Sequence, residues 1–443
     1  MDARRIGVVG AGYVGLTTAV CFASLGHRVV CADLDKSKVD SLNRGETSAH
    51  EPGLDGLLAA GLRTGRLRFV VGNEPALTGV DLVFLCLPTP TGRRGHADLT
   101  ALHSVLREAR QLLPAGAVLV VKSTVPPGTT DGVRRELGRQ DVAVVSNPEF
   151  LREGRAVDDF LRPQRVVVGG ADQDAVRRVA ELYAGSGAPT LFTDSTSAEL
   201  AKYASNCFLA MKLSYVNTLA ELCERVGADI GDVTEGMRLD DRIGAAFLSP
   251  GPGWGGSCLP KDTRALLSAA DDADVDFPLL RATIGTNDRQ AARIVRKVRE
   301  AVDGPLAGAR VGLLGLTFKA GTDDLRDSPA LAVAELLAAE GAELTGYDPC
   351  VPTARPQTGD VRVVDSPYLA AKDVSAVVVL TEWPEFTGLD WARLAEQVRD
   401  RVVVDTRNLL PPGALRDNGF RVHRIGEGNG LRATAPGARP WST

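Results

Sequence analysis

No apolar stretch in this 443-residue sequence approaches the length of a membrane-spanning helix, which takes about 18 residues or more. The apolar run near the amino terminus is interrupted by Gly10 and Gly12 and leads into a glycine-rich loop rather than a cleavage site, so we expect no secretion signal. An excess of basic residues is also lacking, because 51 lysines and arginines stand against 56 acidic residues and give a net charge of −5. We therefore expect neither a membrane nor a nucleic-acid partner.

Cysteine and histidine are few, with seven and five residues, and the sequence contains no C-x-x-C motif. An odd number of scattered cysteines argues against a disulfide framework, and the scarcity of nearby histidine argues against a zinc site. We expect no metal, and a reducing cytoplasm fits this cysteine usage best. Most of the cysteines lie in apolar runs, where a buried thiol behaves as a small hydrophobe, and Cys258 is the exception.

The chain is too long for one hydrophobic core, and its first part has the pattern of alternating strands and helices. A strand at Ile6 to Val9, a glycine turn, a helix and a second strand at Arg28 to Ala32 form a βαβ unit. The apolar runs DLVFLCLP, AVLVVKST, VAVVSNPEF and QRVVVGG follow, separated by helical segments. This pattern predicts a parallel sheet covered on both faces, in a domain that we place at residues 1–195.

A long helix is predicted next, because Thr196 and Glu199 have the spacing of a capping box and no proline or glycine follows until Gly227. A helix of about 30 residues is about 45 Å long and offers a face for self-association, so we expect a homodimer. We place the central helical region at 196–305.

The α/β pattern then begins again and predicts a second doubly wound domain at 306–430, followed by a loose tail at 431–443. The fold class is therefore α/β, with two Rossmann-like domains joined by a long central helix and a helical dimerisation region. The second domain lacks the G-x-G-x-x-G fingerprint of the first, so we expect no second dinucleotide there.

The glycine turn of the first domain predicts a dinucleotide site. Gly10, Gly12 and Gly15 follow a strand and open a helix, and the next strand ends at Asp33. A carboxylate there accepts hydrogen bonds from a ribose and repels a 2′-phosphate, which favours NAD over NADP. The alternative is an ordinary glycine turn with a solvated aspartate. Lys38 neutralises cofactor charge on one interpretation and is a surface lysine on the other.

Cys258 lies in GPGWGGSCLPKD, whose glycines and prolines indicate irregular backbone that can approach a ligand closely. Lys261 and Asp262 follow at once, and a nearby cation favours the nucleophilic thiolate. The alternative interpretation is a buried structural cysteine in a turn.

A second group of polar residues raises the case for catalysis. Lys202 and Asn206 are four residues apart on the predicted long helix, where they share one face and are suited to stabilise an oxyanion. Glu149, Glu153 and Thr124 follow apolar strands, at the edge where parallel sheets bind ligands. The alternatives are that Lys202 and Asn206 form a solvent-facing pair, and that the two glutamates are ordinary acids at a helix start.

Three cations of the second domain are candidates for binding a diphosphate. Lys319 and Arg326 lie in GLTFKAGTDDLRDSP, and Arg407 follows the apolar strand RVVVD. Arginine's planar fork suits phosphate, but solvated surface cations are the alternative, and Arg326 has acidic neighbours with which to pair.

Several motifs occur in one order along nearly the whole chain, namely GAGYVG, PTPT, KSTVPPGT, NPEFLREG, K-x-x-x-N, GGSCLPKD and GLTFKAGTDDLRDSP. In these motifs the sequence resembles the UDP-glucose/GDP-mannose dehydrogenase family. The resemblance implies a four-electron oxidation of a nucleotide-bound hexose at its primary alcohol, with two NAD molecules reduced in succession. It further implies an aldehyde, a cysteine thiohemiacetal and a thioester that is hydrolysed to the uronic acid.

The resemblance also assigns roles to residues. It implies that Cys258 is the nucleophile, that Lys202 and Asn206 stabilise the oxyanion, and that Arg242 is supplied by the neighbouring subunit. Proton and water steps are implied for Glu149, Asp262 and Thr124. Around NAD it implies Gly10, Ala11, Gly12, Tyr13, Val14, Gly15, Asp33, Lys38, Thr89, Thr124, Glu153, Lys261 and Arg326. Around the sugar nucleotide it implies Glu149, Phe150, Leu151, Lys202, Asn206, Arg242, Phe247, Ser249, Gly253, Trp254, Gly255, Phe318, Lys319 and Arg407.

Two positions depart from the common UDP-glucose pattern of that family, which has lysine where this chain has Ser249 and phenylalanine where it has Trp254. UDP-glucose is the first substrate hypothesis, and GDP-mannose, a UDP-N-acetylhexosamine and thymidine-diphosphate glucose are alternatives with the same chemistry. A two-electron dehydrogenase of a small hydroxy acid would not need Cys258 or the second domain. A non-catalytic nucleotide-sugar-binding protein would not need the intact set of polar residues.

Overall fold

A computed structural model describes residues 3–47, 49–92, 95–354 and 358–428, which form two compact units. Within these ranges, unit one draws on the residues up to 208, on 258–280 and on 321–323, and unit two draws on 209–257, on 281–320 and on the residues from 324 onward. The tail at 431–443, which the sequence predicts to be loose, lies outside the described residues.

The strands form one sheet in each unit, as the sequence predicts. The first sheet has the strand order β3-β2-β1-β4-β5-β6-β7-β8 and the second has the order β11-β10-β9-β12-β13-β14. The strands of unit one are β1 (Arg5–Val9), β2 (Arg28–Asp33), β3 (Leu67–Val71), β4 (Leu82–Leu85), β5 (Val118–Val121), β6 (Ala143–Ser146), β7 (Val166–Gly169) and β8 (Thr190–Thr193). Those of unit two are β9 (Arg310–Leu314), β10 (Glu343–Tyr347), β11 (Arg362–Val363), β12 (Ala376–Val379), β13 (Val402–Asp405) and β14 (Arg421–Arg424).

The helices alternate with these strands and include one that is much longer than the rest. Up to that helix they are α1 (Tyr13–Ser24), α2 (Lys36–Asn43), α3 (Leu54–Arg63), α4 (Glu74–Leu77), α5 (Thr100–Leu112), α6 (Thr129–Leu137), α7 (Ala156–Leu161), α8 (Gln173–Glu181) and α9 (Ser195–Val226). The others are α10 (Ile230–Arg238), α11 (Leu259–Asp272), α12 (Pro278–Asp288), α13 (Gln290–Val302), α14 (Pro329–Ala339), α15 (Pro367–Ala370), α16 (Trp391–Gln397) and α17 (Pro412–Asp417).

The first sheet is buried on both faces, which is why its strands read as continuous apolar runs. On one face Phe22 packs against Phe84 and Phe160 with ring centroids 5.0 Å apart in each pair, and Tyr183 lies 5.6 Å from Phe22. On the other face Leu77, Leu85 and Leu106 and their neighbours form a second apolar layer. The strand ends are thereby held rigidly, and the loops that follow them carry the polar residues.

One strand pair departs from the predicted parallel arrangement. Strands β6 and β7 meet antiparallel, through the single pair Ser146 and Gly169. The side-chain amide of Asn147 donates to the carbonyl oxygen of Val167 at 2.8 Å and so supplies a bond that the ladder lacks.

The long helix α9 occurs as predicted and ends one residue before Gly227, but the predicted capping box is wrong. The carboxylate of Asp194 caps the helix by accepting from the amide of Ser197 at 2.8 Å. Glu199 instead accepts the amides of Gly128 and Thr130 at the start of α6, at 2.6 and 2.7 Å. In a capping box the acid accepts a backbone amide at the start of its own helix. Here Glu199 belongs to α9 but accepts amides at the start of α6.

The second sheet repeats the architecture of the first, with an acid after its second strand. Asp348 follows β10 and is almost fully buried. Its carboxylate accepts the amides of Leu316 and Thr317 at 2.8 and 3.0 Å, and the indole N–H of Trp383 at 3.0 Å. This carboxylate is therefore satisfied by the chain's own donors.

Within the described residues, the helices include none that is both long and apolar enough to cross a membrane. The same residues include no group of three or more histidine, cysteine or acidic side chains placed to hold a metal ion.

Candidate active site

The loop between β1 and α1 has the geometry that a dinucleotide requires. Gly10 has φ +96°, and a Cβ there would lie 2.4 Å from the carbonyl oxygen of Cys86. A Cβ on Gly15 would lie 1.8 Å from the carbonyl oxygen of Gly10, so helix and strand pack too closely for a side chain. A Cβ on Gly12 would meet no described protein atom within 4 Å, which leaves the backbone open to a pyrophosphate. Ala11, Tyr13 and Val14 complete this loop and the first turn of α1.

Asp33, at the end of β2, is held in its charged form beside this loop. Its carboxylate accepts the amides of Ala11 and Asp35 at 2.9 and 3.0 Å and the ammonium of Lys38 at 3.2 Å. Burial raises the pKa of this carboxyl, but these donors outweigh burial and hold the pKa below its ordinary value. Lys38 therefore pairs with Asp33 in unit one, and the residues present fit NAD.

A buried ion pair joins the loop after β6 to the long helix. The Nζ of Lys202 lies 3.1 Å from Oε1 of Glu149, and both side chains are less than a tenth exposed. The amide of Leu151 donates to the other oxygen of Glu149 at 2.6 Å. Burial would raise the pKa of Glu149, but Lys202 and this amide lower it below its ordinary value. The ring of Phe150 lies 5.3 Å from the ammonium of Lys202.

A second buried group lies one helical turn further along α9. Asn206 donates to Oδ2 of Asp262 at 2.6 Å, and Lys261 pairs with the other oxygen of that carboxylate. Burial lowers the pKa of Lys202, but the charges of Glu149, Cys258 and Asp262 outweigh it and raise that pKa above its ordinary value. The two groups and the thiol therefore share one electrostatic environment within unit one.

Cys258 is the N-cap residue of α11, and its carbonyl oxygen accepts the amide of Asp262 at 2.9 Å. It is half-buried, whereas five of the other six cysteines are buried. The positive end of a helix stabilises a thiolate. The structure thus places Cys258 at a helix start, where the sequence indicated only an irregular glycine-rich loop.

Three further candidates lie on loops of unit one. The hydroxyl of Thr89 donates to the carbonyl oxygen of Thr124 at 2.9 Å, which ties the loops after β4 and β5 together. Glu153 accepts from the hydroxyl of Thr322 at 3.4 Å.

Sequence reasoning missed Glu51, which joins the dinucleotide loop to the loop that carries Glu149. Its buried carboxylate accepts the phenolic hydroxyl of Tyr13, the amide of Gly154 at 2.9 Å and the amide of Val157 at 3.4 Å. Burial and this carboxylate raise the pKa of Tyr13. An isolated acid in a loop has no local pattern, and its partners lie 38 to 106 positions away, so single-sequence reasoning had no signal for it.

In unit two, the loop at 249–256 folds against the segment that carries Phe318. A Cβ on Gly256 would lie within 3 Å of the Phe318 ring, and a Cβ on Gly255 would lie 1.9 Å from the carbonyl oxygen of Asp327. Gly253 has φ +128°. The indole of Trp254 donates to the hydroxyl of Ser214 at 2.9 Å. The structure thus brings Gly253, Trp254, Gly255 and Phe318 together.

The predicted cations of unit two have different surroundings. A Cβ on Gly251 would lie 2.9 Å from Nη1 of Arg407, so this arginine borders the same loop. Its Nε donates to the carbonyl oxygen of Leu380 at 2.8 Å and lies 3.2 Å from Oε2 of Glu382. Arg326 pairs with Asp324 at 2.7 Å, which is the alternative that its acidic neighbours predicted.

The remaining candidates of unit two lie near its surface. Arg242 pairs with Asp240 at 2.7 Å and is 90% exposed. Ser249 accepts from Arg238 at 3.1 Å, and Phe247 adopts φ +61°. The ammonium of Lys319 lies 5.6 Å from the centre of the Phe318 ring.

Comparison with known proteins agrees with this geometry. Family models described as the NAD binding, central and UDP binding domains of the UDP-glucose/GDP-mannose dehydrogenase family match residues 4–186, 196–289 and 312–412. The chain belongs to this family. It is an NAD-dependent nucleotide-sugar dehydrogenase with two α/β domains and a long central helix, as the sequence motifs implied.

Individual members of the family resemble the chain over nearly its whole length. A UDP-glucose 6-dehydrogenase of Rhizobium meliloti (strain 1021) is 45% identical over 433 residues, covering 95% of this chain and 99% of the relative. The UDP-glucose 6-dehydrogenase TuaD of Bacillus subtilis (strain 168) is 40% identical, covering 98% and 95%.

Among solved structures, a UDP-glucose dehydrogenase of Pyrobaculum islandicum has a TM-score of 0.88 at 37% identity, covering 96% of this chain and 98% of its own. A UDP-D-ManNAc dehydrogenase of Pyrococcus horikoshii has a TM-score of 0.85 at 30% identity, covering 96% and 99%.

Proposed function

We propose that this enzyme oxidises UDP-glucose at its primary alcohol to the uronic acid, through a thiohemiacetal and a thioester on Cys258. The observation that carries the proposal is the group of buried polar side chains in unit one. Lys202 pairs with Glu149, Asn206 bonds to Asp262, and Cys258 stands at the N-terminus of α11 in the same electrostatic environment. A two-electron dehydrogenase needs no thiol in such a setting.

Bound NAD supplies the hydride acceptor for each of the two oxidations. In the first, the alcohol loses a hydride and a proton to become the aldehyde, and the Cys258 thiolate then adds to the aldehyde carbon. Lys202 and Asn206 are suited to stabilise the oxygen anion of this adduct, because both are buried donors. Loss of a second hydride gives the thioester, and water attacks its carbonyl carbon, releasing the carboxylate and the thiol. We assign proton transfer and water activation to Glu149 and Asp262, with Thr124.

The substrate assignment is supported by relatives at 45% and 40% identity that are named UDP-glucose 6-dehydrogenases. We assign the nucleotide to unit two, to Phe318, Lys319, Arg407 and the loop at 249–255. GDP-mannose, a UDP-N-acetylhexosamine and thymidine-diphosphate glucose are the competing substrates. When UDP-glucose and these three nucleotide sugars are each assayed with NAD, kcat/KM should be highest for UDP-glucose. A higher kcat/KM for another nucleotide sugar would overturn the substrate assignment.

The stoichiometry of the reaction tests the mechanism. The wild type should form two NADH for each UDP-glucose, whereas a two-electron dehydrogenase forms one and a binding protein forms none. Cys258→Ser should keep the fold and NAD binding but lose net uronate formation, because a serine alkoxide is far harder to generate at neutral pH. Normal turnover by this variant would refute the covalent mechanism.

We further propose that the enzyme is a homodimer that works in a reducing cytoplasm. The dimer is supported by an apolar stripe on α9, where Phe208, Tyr215 and Leu222 recur every seven residues and are each more than half exposed. The compartment is supported by the seven cysteines, each present as a thiol in the described chain.

A further inference from the structure

Four arginines border a cleft of about 240 Å³ in unit one, at the end of the sheet opposite to the glycine loop. Arg5 begins β1, Arg28 begins β2, Arg66 directly precedes β3, and Arg68 is the second residue of β3. The other wall of the cleft includes Pro75, Thr78 and Gly79, from α4 and the loop after it. This feature is called the arginine cleft below.

The register of the sheet places these arginines in a row on one face. Arg5 and Arg28 are lateral partners on adjacent strands, and Val30 is the partner of Arg68. The amide of Val29 donates to the carbonyl oxygen of Arg66 at 2.7 Å, which sets Arg66 beside Arg28. Lateral partners project to the same face, and neighbouring strands lie roughly 4.8 Å apart. The row therefore spans three strands within about 10 Å at the backbone.

The positive charge of the row is largely uncompensated by the protein. Arg5 is paired with Asp81 at 2.9 Å. For Arg28, Arg66 and Arg68, which are all exposed, the part of the chain that the structure describes offers no ion-pair partner. Like charges on laterally adjacent strands destabilise a sheet, so this arrangement favours binding of an anion from solution.

The arginine cleft is separate from the NAD site. The glycine loop follows the carboxyl end of β1 and Arg5 stands at its amino end, five residues or about 16 Å away along the strand. Dinucleotides bind at the carboxyl ends of parallel strands, so the cofactor leaves the cleft accessible.

We propose that the arginine cleft binds an oligophosphate, meaning the di- or triphosphate chain of a small anion. Arginine's planar fork suits phosphoryl oxygens bidentately, and a row of such forks across three strands matches a chain of phosphoryl groups better than a single one. The charge of a triphosphate also offsets several guanidinium groups at once. The source is either a free polyphosphate or a nucleoside triphosphate, which share this chemistry.

Calorimetric titration with sodium tripolyphosphate tests the proposal, on full-length enzyme saturated with NAD and UDP so that its catalytic phosphate sites are filled. We expect one tripolyphosphate per chain, with affinity that falls as salt is raised. Arg66→Ala/Arg68→Ala should weaken binding at least tenfold. The matched control is Arg107→Ala/Arg177→Ala, which removes two exposed arginines outside the cleft and should leave the affinity unchanged.

Thermal unfolding gives a second readout that does not depend on heat of binding. At one fixed concentration, tripolyphosphate should raise the Tm of the wild type and of the control variant by the same amount, and it should raise the Tm of Arg66→Ala/Arg68→Ala by less. Tighter binding of ATP than of tripolyphosphate would identify a nucleotide as the source, and equal binding would identify the phosphate chain alone. Absence of binding to the wild type with its catalytic sites filled, or equal affinity in the double variant and the wild type, would overturn the proposal.

Discussion

At the scale of single residues, Asp33 shapes the glycine loop, and we expect the same carboxylate to select the cofactor. It accepts the amide of Ala11 within the glycine loop, and that bond and those from Asp35 and Lys38 keep it charged. The charge that we expect a ribose hydroxyl to meet is therefore fixed before the cofactor binds. A 2′-phosphate at the same place would meet a like charge.

We accordingly expect the wild type to prefer NAD strongly and Asp33→Asn to narrow the preference over NADP by at least tenfold. Asparagine keeps an acceptor for Ala11 but removes the charge, so it separates electrostatics from loop geometry. Asp33→Ala should narrow the preference too, and it should also weaken NAD binding because the loop loses its acceptor. Steady-state kinetics with both cofactors provides the measurement, and equal use of NAD and NADP by the wild type would contradict this interpretation of β2.

The Lys202–Glu149 pair makes a prediction about stability and pH. Lys202→Met leaves a buried carboxylate without its counter-ion, which costs about 3–5 kcal/mol at neutral pH. In the wild type the pKa of Glu149 is lowered, so its contribution to stability is present at neutral pH and is lost as pH falls through that lowered pKa. In the variant the pKa of Glu149 should rise, and protonation should relieve the penalty in mild acid.

The difference in free energy of unfolding between wild type and Lys202→Met should therefore shrink between about pH 7.5 and pH 5. Urea unfolding followed by circular dichroism measures it. The double variant Lys202→Met/Glu149→Gln is the control, because it removes both charges of the pair and should recover much of the loss. A difference in free energy of unfolding that stays constant with pH would contradict this prediction. It would show that the Lys202 ammonium does not act by stabilising the charged form of Glu149.

At the scale of elements, Glu51 joins the first residue of α1 to the loop after β6. We expect Glu51→Gln to raise the KM for NAD roughly tenfold, because it weakens a charged hydrogen-bond network worth about 1.5–3 kcal/mol. Tyr13→Phe is the milder control, since the carboxylate keeps the amide of Gly154. The rate of Cys258 alkylation should stay unchanged in Glu51→Gln, and a large change in that rate would indicate general loosening of unit one instead of repositioning.

The elements themselves follow from the sequence because apolar periodicity and glycine turns are local signals. The runs of β4, β5 and β13, the glycine loop and α9 all occur where the pattern places them. The contacts between elements do not follow, because they depend on partners far away in the chain. Glu199 has the spacing of a capping box yet caps α6, and Glu51 has no sequence pattern at all. The pairing of Arg326 with Asp324 is different, because the two residues are close in the sequence and the acidic neighbours of Arg326 predicted that alternative.

At the scale of the whole molecule, the two units should bind different ligands, and Arg407 tests this division. Arg407 borders the loop at 249–256 in unit two. Arg407→Ala should raise the KM for the sugar nucleotide about tenfold or more, as expected for losing a charge-assisted hydrogen bond of about 1.5–3 kcal/mol. The KM for NAD should change little. Steady-state kinetics in which each substrate is varied in turn provides the measurement. A rise in KM for NAD alone would contradict the assignment of the sugar nucleotide to unit two.

The apolar stripe on α9 makes a prediction about assembly. Tyr215→Asp/Leu222→Asp should turn the proposed dimer into monomers, because two buried charges at a self-complementary interface repel their copies. The monomer should also lose affinity for the sugar nucleotide, since Arg242 is expected to serve the neighbouring subunit. Light scattering after size-exclusion chromatography gives the mass. The control is Leu336→Asp, which places a charge on an exposed apolar residue outside α9. If the variant Tyr215→Asp/Leu222→Asp were still a dimer, this interface would be ruled out.

The second sheet carries an acid where the first sheet carries Asp33, but Asp348 spends its oxygens on the amides of Leu316 and Thr317 and on the indole of Trp383. The acid that we expect to recognise a ligand in unit one, Asp33, therefore has a counterpart in unit two, Asp348, that only stabilises the fold. Replacing the two acids should therefore produce different phenotypes, a change of cofactor choice at Asp33 and a loss of fold at Asp348. Structural repetition within a chain duplicates scaffolding, and each copy's function has to be established from where its polar atoms are used.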